Sequence, residues 1–264
     1  MKTDYEFLLV EPRPSGLAVC TLNRPQSLNA FNTKMALEIT DFFTRAGTEG
    51  SGIRAMVLTG AGDRAFCVGA DLKERNNMSE DAWSKQHVVF ENMFESLLFN
   101  PIPVIAAVNG LAYGGGGEFI ASCDFAYAAR RAKIAQSEVK LAIFPGGGGT
   151  QILPRAMGPK RASEFILTGE AIDADTALAW GLVNRVVDDA DVVAAAVRTG
   201  EVICANGPLA IRQAKKSMRQ GYDMDIHTGL VFEREAYHRL IDSEDRREGI
   251  SAFNEKRKPV FKGR

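Results

Sequence analysis

The chain has 264 residues, 45% of them apolar, and carries 32 basic against 33 acidic side chains for a net charge of -1. This is the composition of a globular chain long enough for one large domain, or for one domain with a helical extension. The balanced charge speaks against a nucleic-acid-binding face, and no run approaches the ~18 apolar residues of a membrane span.

Apolar runs at 7–10 and 17–22 flank Arg13-Pro14-Ser15-Gly16, a turn composition, and predict a β-hairpin. Asn23 to Ala30 reads as a loop. Asn32 is placed to cap a helix over 34–46, with Met35, Ile39, Phe42 and Phe43 on one face. The run AMVLT at 55–59 is a short buried strand ended by Gly60-Ala61-Gly62-Asp63. Residues 65–73, AFCVGADLK, are small and read as irregular. Ser79 can cap a long helix reaching about Leu98, which Asn100-Pro101-Ile102-Pro103 breaks.

An apolar run, PVIAAV, then reaches Asn109-Gly110. Four glycines follow, Gly114 to Gly117, then Glu118 and the apolar Phe119, Ile120 and Ala121. This is a buried strand, a glycine turn and the first turn of a helix. A further short strand is expected at 125–129 and extended chain at 134–138. Phe144-Pro145 opens a second glycine cluster, Gly146 to Gly149, with a helix after Thr150. Helices at 162–167 and 173–180 are closed by Gly169 and Gly181, and a last strand is expected at 183–187. Beyond it the pattern is helical only, at 190–204, 209–220, 224–241 and 244–256. The alternation of strands and helices predicts an α/β core over 1–200. The helical region 201–264 would pack on that core or on a neighbouring subunit.

Cys20, Cys67, Cys123 and Cys204 are widely spaced without a C-x-x-C pair, as reduced core thiols are. The opening MKTDYEFLLVEP contains acids and no long apolar core, unlike a secretory signal or transit peptide. A cytoplasmic location is the expectation.

Three small-residue turns stand beside buried strands: Val68-Gly69-Ala70-Asp71-Leu72, the glycines before Glu118, and Pro145 to Gly149. No G-x-x-x-x-G-K-[ST] is present and no G-x-G-x-x-G follows the first strand, so nucleotide-phosphate cradles of both kinds are excluded. Backbone N–H groups aimed at a small anion remain, the equipment for a thioester oxyanion or enolate. Glu118 and Glu138 stand close to these turns. Two carboxylates in one pocket split their protonation, one serving as base and the other as acid, as addition of water to an activated double bond requires. On the residues alone, Glu118 reads sooner as an acid compensating a helix dipole, and Glu138 as a solvated acid at a strand end.

The segments NRPQSLNAF, AFCVGADLKE, PVIAAVNGLAYGGGGEFIASCDF, AQSEVKLAIFPGGGGTQILPR, TGEAIDADTALAWGLVNRVV and AFNEKRKPVFKG occur in an order that resembles the crotonase (enoyl-CoA hydratase/isomerase) superfamily over essentially the full length. The resemblance implies an α/β spiral of ββα repeats with a C-terminal helical region that builds trimers, often paired as hexamers. It implies an oxyanion hole from the N–H groups of Ala70 and Gly115, with Glu118 and Glu138 as paired catalytic acids and the Gly146 backbone helping to hold water. Family members that hydrate enoyl-CoA keep both acids, whereas isomerases commonly lack one.

Arg24, Gln26, Ser27 and Leu28 match positions at the pantetheine and adenine end of CoA. Phe253 and Lys256 match positions completing that pocket from a neighbouring subunit. Asp71, Leu72 and Lys73 follow the oxyanion donor, and Phe144 sits against the second glycine cluster. For Asp71 a local turn bond competes with ligand contact, and Lys256-Arg257-Lys258 reads as a solvated face or a phosphate contact. Trp83, Phe90 and Phe94 read as core or acyl-pocket wall. His87, His227 and His238 have no partner motif.

The expected activity is hydration of a trans-2-enoyl-CoA to a 3-hydroxyacyl-CoA, with CoA as part of the substrate and no metal or other cofactor. AGDRAFCVGADLKERNNMS also resembles the methylglutaconyl-CoA hydratase branch, whose substrate carries a carboxylate for which Lys73, Arg75 or Arg155 would be the cation. That branch includes an RNA-binding member with a lysine-rich first helix. The corresponding NTKMALEITDFFTRAG has one lysine and one arginine, so no nucleic-acid partner is expected.

Overall fold

The computed structural model describes residues 2–264. The chain opens with the expected hairpin: β1 (Leu8–Pro12) pairs antiparallel with β2 (Leu17–Leu22), Leu8 facing Leu22. After a 3-10 turn at Pro25–Ser27 comes α1 (Thr33–Gly47), whose Asn32 cap accepts from the Met35 N–H at 2.9 Å. Then follow β3 (Ala55–Gly60), β4 (Ala65–Cys67), α2 (Leu72–Arg75) and α3 (Glu80–Leu98). The next stretch is β5 (Val104–Val108), β6 (Leu111–Tyr113) and α4 (Gly115–Ser122). It is succeeded by β7 (Phe125–Ala129), β8 (Lys133–Ala135), a 3-10 turn at Glu138–Leu141 and α5 (Gly149–Met157). The remainder is α6 (Pro159–Thr168), β9 (Ile172–Asp173), α7 (Ala174–Trp180), β10 (Arg185–Val187), α8 (Val192–Cys204), α9 (Pro208–Gly221), α10 (Ile226–Ile241) and α11 (Glu244–Asn254).

Two sheets result. The larger has the order β1-β2-β3-β5-β7-β10 and is parallel apart from β1; the smaller has the order β4-β6-β8-β9. Three times in succession a strand joins the larger sheet, the next joins the smaller, and a helix follows: β3-β4, β5-β6 and β7-β8. Each round advances one strand along both sheets, which is the spiral of ββα units.

Side-chain alternation distributes the larger sheet's residues between two cores. Leu17, Val19, Val57, Ile105 and Ala107 face α8, while Ala18, Cys20, Leu58, Ala106 and Val108 face α1, α3 and α4. Both faces are covered, so the strands read as continuous apolar runs.

Four expectations need correction. Residues 65–73 are not irregular throughout: they contain β4 and the start of α2. The extended stretch expected at 134–138 stops at Ala135, and Glu138 opens a 3-10 turn. The helix expected after Thr150 already starts at Gly149. The last strand is shorter than 183–187. The short β6 and β9 had no sequence signal. The division expected at 200/201 falls inside α8, which packs on the larger sheet. Among the described residues no helix is long and apolar enough to cross a membrane.

Candidate active site

Phe31 and Ala70 form an isolated parallel bridge: the Phe31 N–H donates to the Gly69 carbonyl and the Asp71 N–H to the Phe31 carbonyl, both at 2.9 Å. Successive N–H groups of extended chain point to opposite sides, so the Ala70 N–H faces away from Phe31. On that far side lies the start of α4. Gly69 has φ +89°, and a Cβ added there would sit 3.1 Å from the Gly115 N, so the two turns abut. Gly115 is the first residue of α4, where N–H groups have no intrahelical acceptor. Among the described residues neither the Ala70 nor the Gly115 N–H has a hydrogen-bond acceptor.

Each glycine of the run is required for its own reason. Gly114 has φ 53° and ψ -123°, a conformation that side-chain-bearing residues avoid. A Cβ on Gly115 would lie 2.7 Å from the Phe31 ring. At Gly116 it would overlap the Cys67 carbonyl oxygen, and at Gly117 the side-chain amide nitrogen of Gln136. The helix start is thereby seated between β4 and the chain leaving β8.

Glu118 is only 3% exposed, and its Oε1 accepts from the N–H of Gly147 at 2.8 Å and of Gly149 at 2.9 Å. Burial pushes its carboxyl up to about 7; the Gly149 N–H opposes this, the charge of Glu138 adds to it, and the Gly147 N–H opposes it further. Dipole compensation alone does not account for a carboxyl taken out of water in this way. Glu138 lies near enough for its charge to act on Glu118. A Cβ on Gly114 would lie 3.3 Å from the Oε1 of Glu138, and the Glu138 Oε2 is buried without a hydrogen-bond partner. Burial raises its pKa as well. Glu138 thus stands beside Gly114 and Glu118 against the second glycine cluster, each close enough to act on the other, and both resist ionisation.

Phe94 joins the two glycine clusters. It lies 3.3 Å from a Cβ placed on Gly115 and would overlap one on Gly147. It packs with Phe31 and Phe119, so Phe90 and Phe94 are core residues that also wall the site. Gly146 lies against the His87 ring, and His87 stands 3.4 Å from Glu91. Sequence reasoning had given His87 no neighbour. It had also missed the Gly147 and Gly149 donors and the part played by Gln136.

The remaining expected residues divide. Arg24 Nη2 lies 2.9 Å from Asp71 Oδ2, tying the 24–30 loop to the Ala70 turn. Asp71 Oδ1 also accepts from the Lys73 N–H, so the local turn bond is present and Asp71 caps α2. The Arg24 contact and that turn hydrogen bond hold the Asp71 carboxyl low, against its burial. Gln26 and Ser27 form the 3-10 turn and Leu28 ends it at φ 53°. Leu72, Lys73 and Phe144 are exposed around the turns, Phe144 at 67%. Phe253 is 83% exposed near the end of α11 and Lys256 lies just beyond it, and the hydrogen bonds of the site do not reach them. Arg75 lies over Trp83 and Phe90 and bonds Gln86, while Arg155 pairs with Asp223.

The enoyl-CoA hydratase/isomerase family model matches residues 12–264. The chain belongs to that family. It is 40% identical to a short-chain-enoyl-CoA hydratase of Clostridium acetobutylicum over 92% of each chain. It is 38% identical to a crotonyl-CoA hydratase of Syntrophomonas wolfei over 97% of this chain and 98% of that one. A crystal structure of an enoyl-CoA hydratase from Bacillus anthracis superposes with a TM-score of 0.95 at 41% identity, covering 98% of this chain and all of the other. The two-sheet spiral with its C-terminal helices is the fold of these enoyl-CoA hydratase/isomerase proteins, the crotonase fold.

Proposed function

We propose that this protein catalyses the reversible hydration of a trans-2-enoyl-CoA to the 3-hydroxyacyl-CoA. The observation that carries the reading is the pair of carboxyls, Glu118 buried and Glu138 half-buried, beside two abutting turns with free N–H groups. The thioester oxygen is received by the N–H of Ala70 and of Gly115. As water attacks C3, the C2–C3 π electrons move onto the thioester as an enolate, and these donors stabilise it. Glu118, held by Gly147 and Gly149 through Oε1, orients water with its other oxygen and takes the proton. Glu138 supplies a proton to C2, so the atoms of one water are added across the double bond. Gly146 lies beside this water. A carboxyl near pH 7 exchanges protons readily in both directions, which a reversible reaction requires.

CoA enters as part of the substrate, and this chemistry calls for no metal or separate cofactor. Arg24, Gln26, Ser27 and Leu28 form the rim for the nucleotide end, with Leu72, Lys73 and Phe144 beside the acyl-pantetheine path. Phe253 and Lys256 complete the CoA pocket of a neighbouring copy in a homotrimer or homohexamer. The exposed apolar Ile226, Leu230, Val231 and Tyr237 of α10 support such an assembly through the region 201–264. Four buried free cysteines fit the reducing cytoplasm.

The test is direct. Incubation with crotonyl-CoA and with 3-methylglutaconyl-CoA is followed by loss of the enoyl-thioester absorbance. Turnover of crotonyl-CoA is expected. Absence of turnover of both overturns the reading, and a large preference for the second substrate assigns the branched, carboxylated class.

A further inference from the structure

One ring beside the site takes no part in the steps above. His87 of α3 is half-buried and stands against the second glycine cluster. The three atoms nearest to a Cβ placed on Gly146 all belong to its ring: Cε1 at 2.7 Å, Nε2 at 3.3 Å and Nδ1 at 3.9 Å. The imidazole thus fills the volume that a side chain at 146 would take. Its Nε2 lies 3.4 Å from Glu91 Oε1, one turn further along α3. We propose that His87 is a specificity-determining residue, whose ring closes the acyl path just beyond C3 and restricts the substrate to short enoyl groups.

The direction of the acyl chain follows from the order of the two glycine clusters. The thioester oxygen is received at Gly115, in the first cluster. Glu118, whose water attacks C3, is held by the N–H groups of Gly147 and Gly149, in the second. From the carbonyl carbon to C3 the substrate therefore advances from the first cluster toward the second, and an extended chain keeps that direction. Phe94 flanks this advance, lying 3.3 Å from a Cβ on Gly115 and overlapping one on Gly147. His87 is on the same face of α3, two turns before Phe94, and meets the adjacent glycine, Gly146. C4 and the carbons after it thus arrive at the imidazole. The turn of α3 that carries the ring does not yield easily. Its neighbouring residue Gln86 is buried, donates to Thr33 Oγ1 and Glu74 Oε2, and accepts from Arg75 Nε, which ties this turn to α1 and α2. The ring is backed by a fixed element, and Glu91 restrains its outer nitrogen.

The inference rests on the proposed hydration, so its test reads binding, which needs no turnover. Butanoyl-CoA and octanoyl-CoA lack the reacting double bond and are titrated by calorimetry into wild type, His87→Ala and His87→Phe. Failure of wild type to bind either ligand would defeat the hydration reading rather than this one. Wild type should favour butanoyl-CoA. His87→Ala opens the path, and the ratio of octanoyl to butanoyl affinity should rise at least about tenfold, because the added methylenes leave water for the vacated space. His87→Phe refills that space and should keep the ratio within about twofold of wild type. A general loss of packing would weaken both ligands together and leave the ratio alone. Turnover gives a second readout: kcat/KM for trans-2-octenoyl-CoA relative to crotonyl-CoA should rise in His87→Ala, through KM. Tighter binding of octanoyl-CoA than of butanoyl-CoA by wild type, an unchanged ratio in His87→Ala, or an equal rise in His87→Phe overturns the proposal.

Discussion

Glu118 is 3% exposed and its carboxyl is pushed up to about 7, so ionising it is harder in the folded chain than in the unfolded one. The consequence for stability has a definite sign. Below its ordinary value of 4.5 the carboxyl is neutral in both states and takes nothing from the fold. Between 4.5 and about 7 the unfolded chain ionises first, and stability is lost as pH rises. Above that window the loss is constant, about 3 kcal/mol at ~1.36 kcal/mol per pKa unit. Glu118→Gln keeps an oxygen for the Gly147 and Gly149 N–H groups and removes the charge. It should melt higher than wild type at pH 8 and no higher at pH 4, as read by thermal unfolding across pH. Its kcat should fall on the order of 10³-fold while an acyl-CoA still binds by calorimetry. Glu138→Gln should lose kcat as severely, because its proton has no other route to C2. Near-full activity in that variant would falsify the paired-acid assignment.

At the level of elements, α4 is a short helix whose first turn is walled on every side. A Cβ at Gly116 would overlap the Cys67 backbone carbonyl, which cannot swing aside as a flexible side chain can. Gly116→Ala should therefore destabilise by about 3 kcal/mol. Gly221, the last residue of α9, has open space where a Cβ would go, and Gly221→Ala should stabilise by about 0.5 kcal/mol. Denaturant titration of both variants checks this, and the opposite ordering would sink the close-packing account.

The same helix marks how far the sequence could be read. The glycine run and the acid behind it stand together in the chain, and so does the strand leading to them. The donors that hold Glu118 lie 29 and 31 residues further on, and only the approach of the second glycine cluster brings them to its oxygen. Gln136 gave no signal at all, being a polar residue between a three-residue strand and a turn. Glu138 was expected in extended chain, but β8 ends at Ala135 and Glu138 opens a 3-10 turn.

In the whole molecule, the repeat of two strands and a helix was invisible to periodicity because the smaller sheet's strands have only two or three residues, too few to alternate. The C-terminal helices were legible, but what fastens them was not. Lys215 of α9 is 6% exposed; its Nζ lies 2.7 Å from Asp124 Oδ2 and 2.8 Å from the Ile102 carbonyl. The same Asp124 oxygen accepts from the Val104 N–H, and Arg219 donates to the carbonyls of Ser122 and Cys123. One helix of the C-terminal region is thus bonded both to the edge of β5 and to the end of α4, whose opposite end carries the Gly115 N–H. Burial lowers the Lys215 pKa and the charge of Asp124 opposes that, so Lys215 depends on Asp124 for its charge. Lys215→Met should cost about 3 kcal/mol, since it leaves Asp124 with only the more distant Arg219, 3.6 Å from its Oδ1, as a counter-charge. Asp124→Asn keeps an acceptor for Val104 but leaves Lys215 without its counter-charge, and should cost a comparable amount. The double variant removes both charges and should be markedly less destabilised than the sum of the two. Denaturant unfolding of the four proteins gives the coupling, which should exceed about 1.5 kcal/mol. Simple additivity would mean that this pair does not fasten α9 to the catalytic helix.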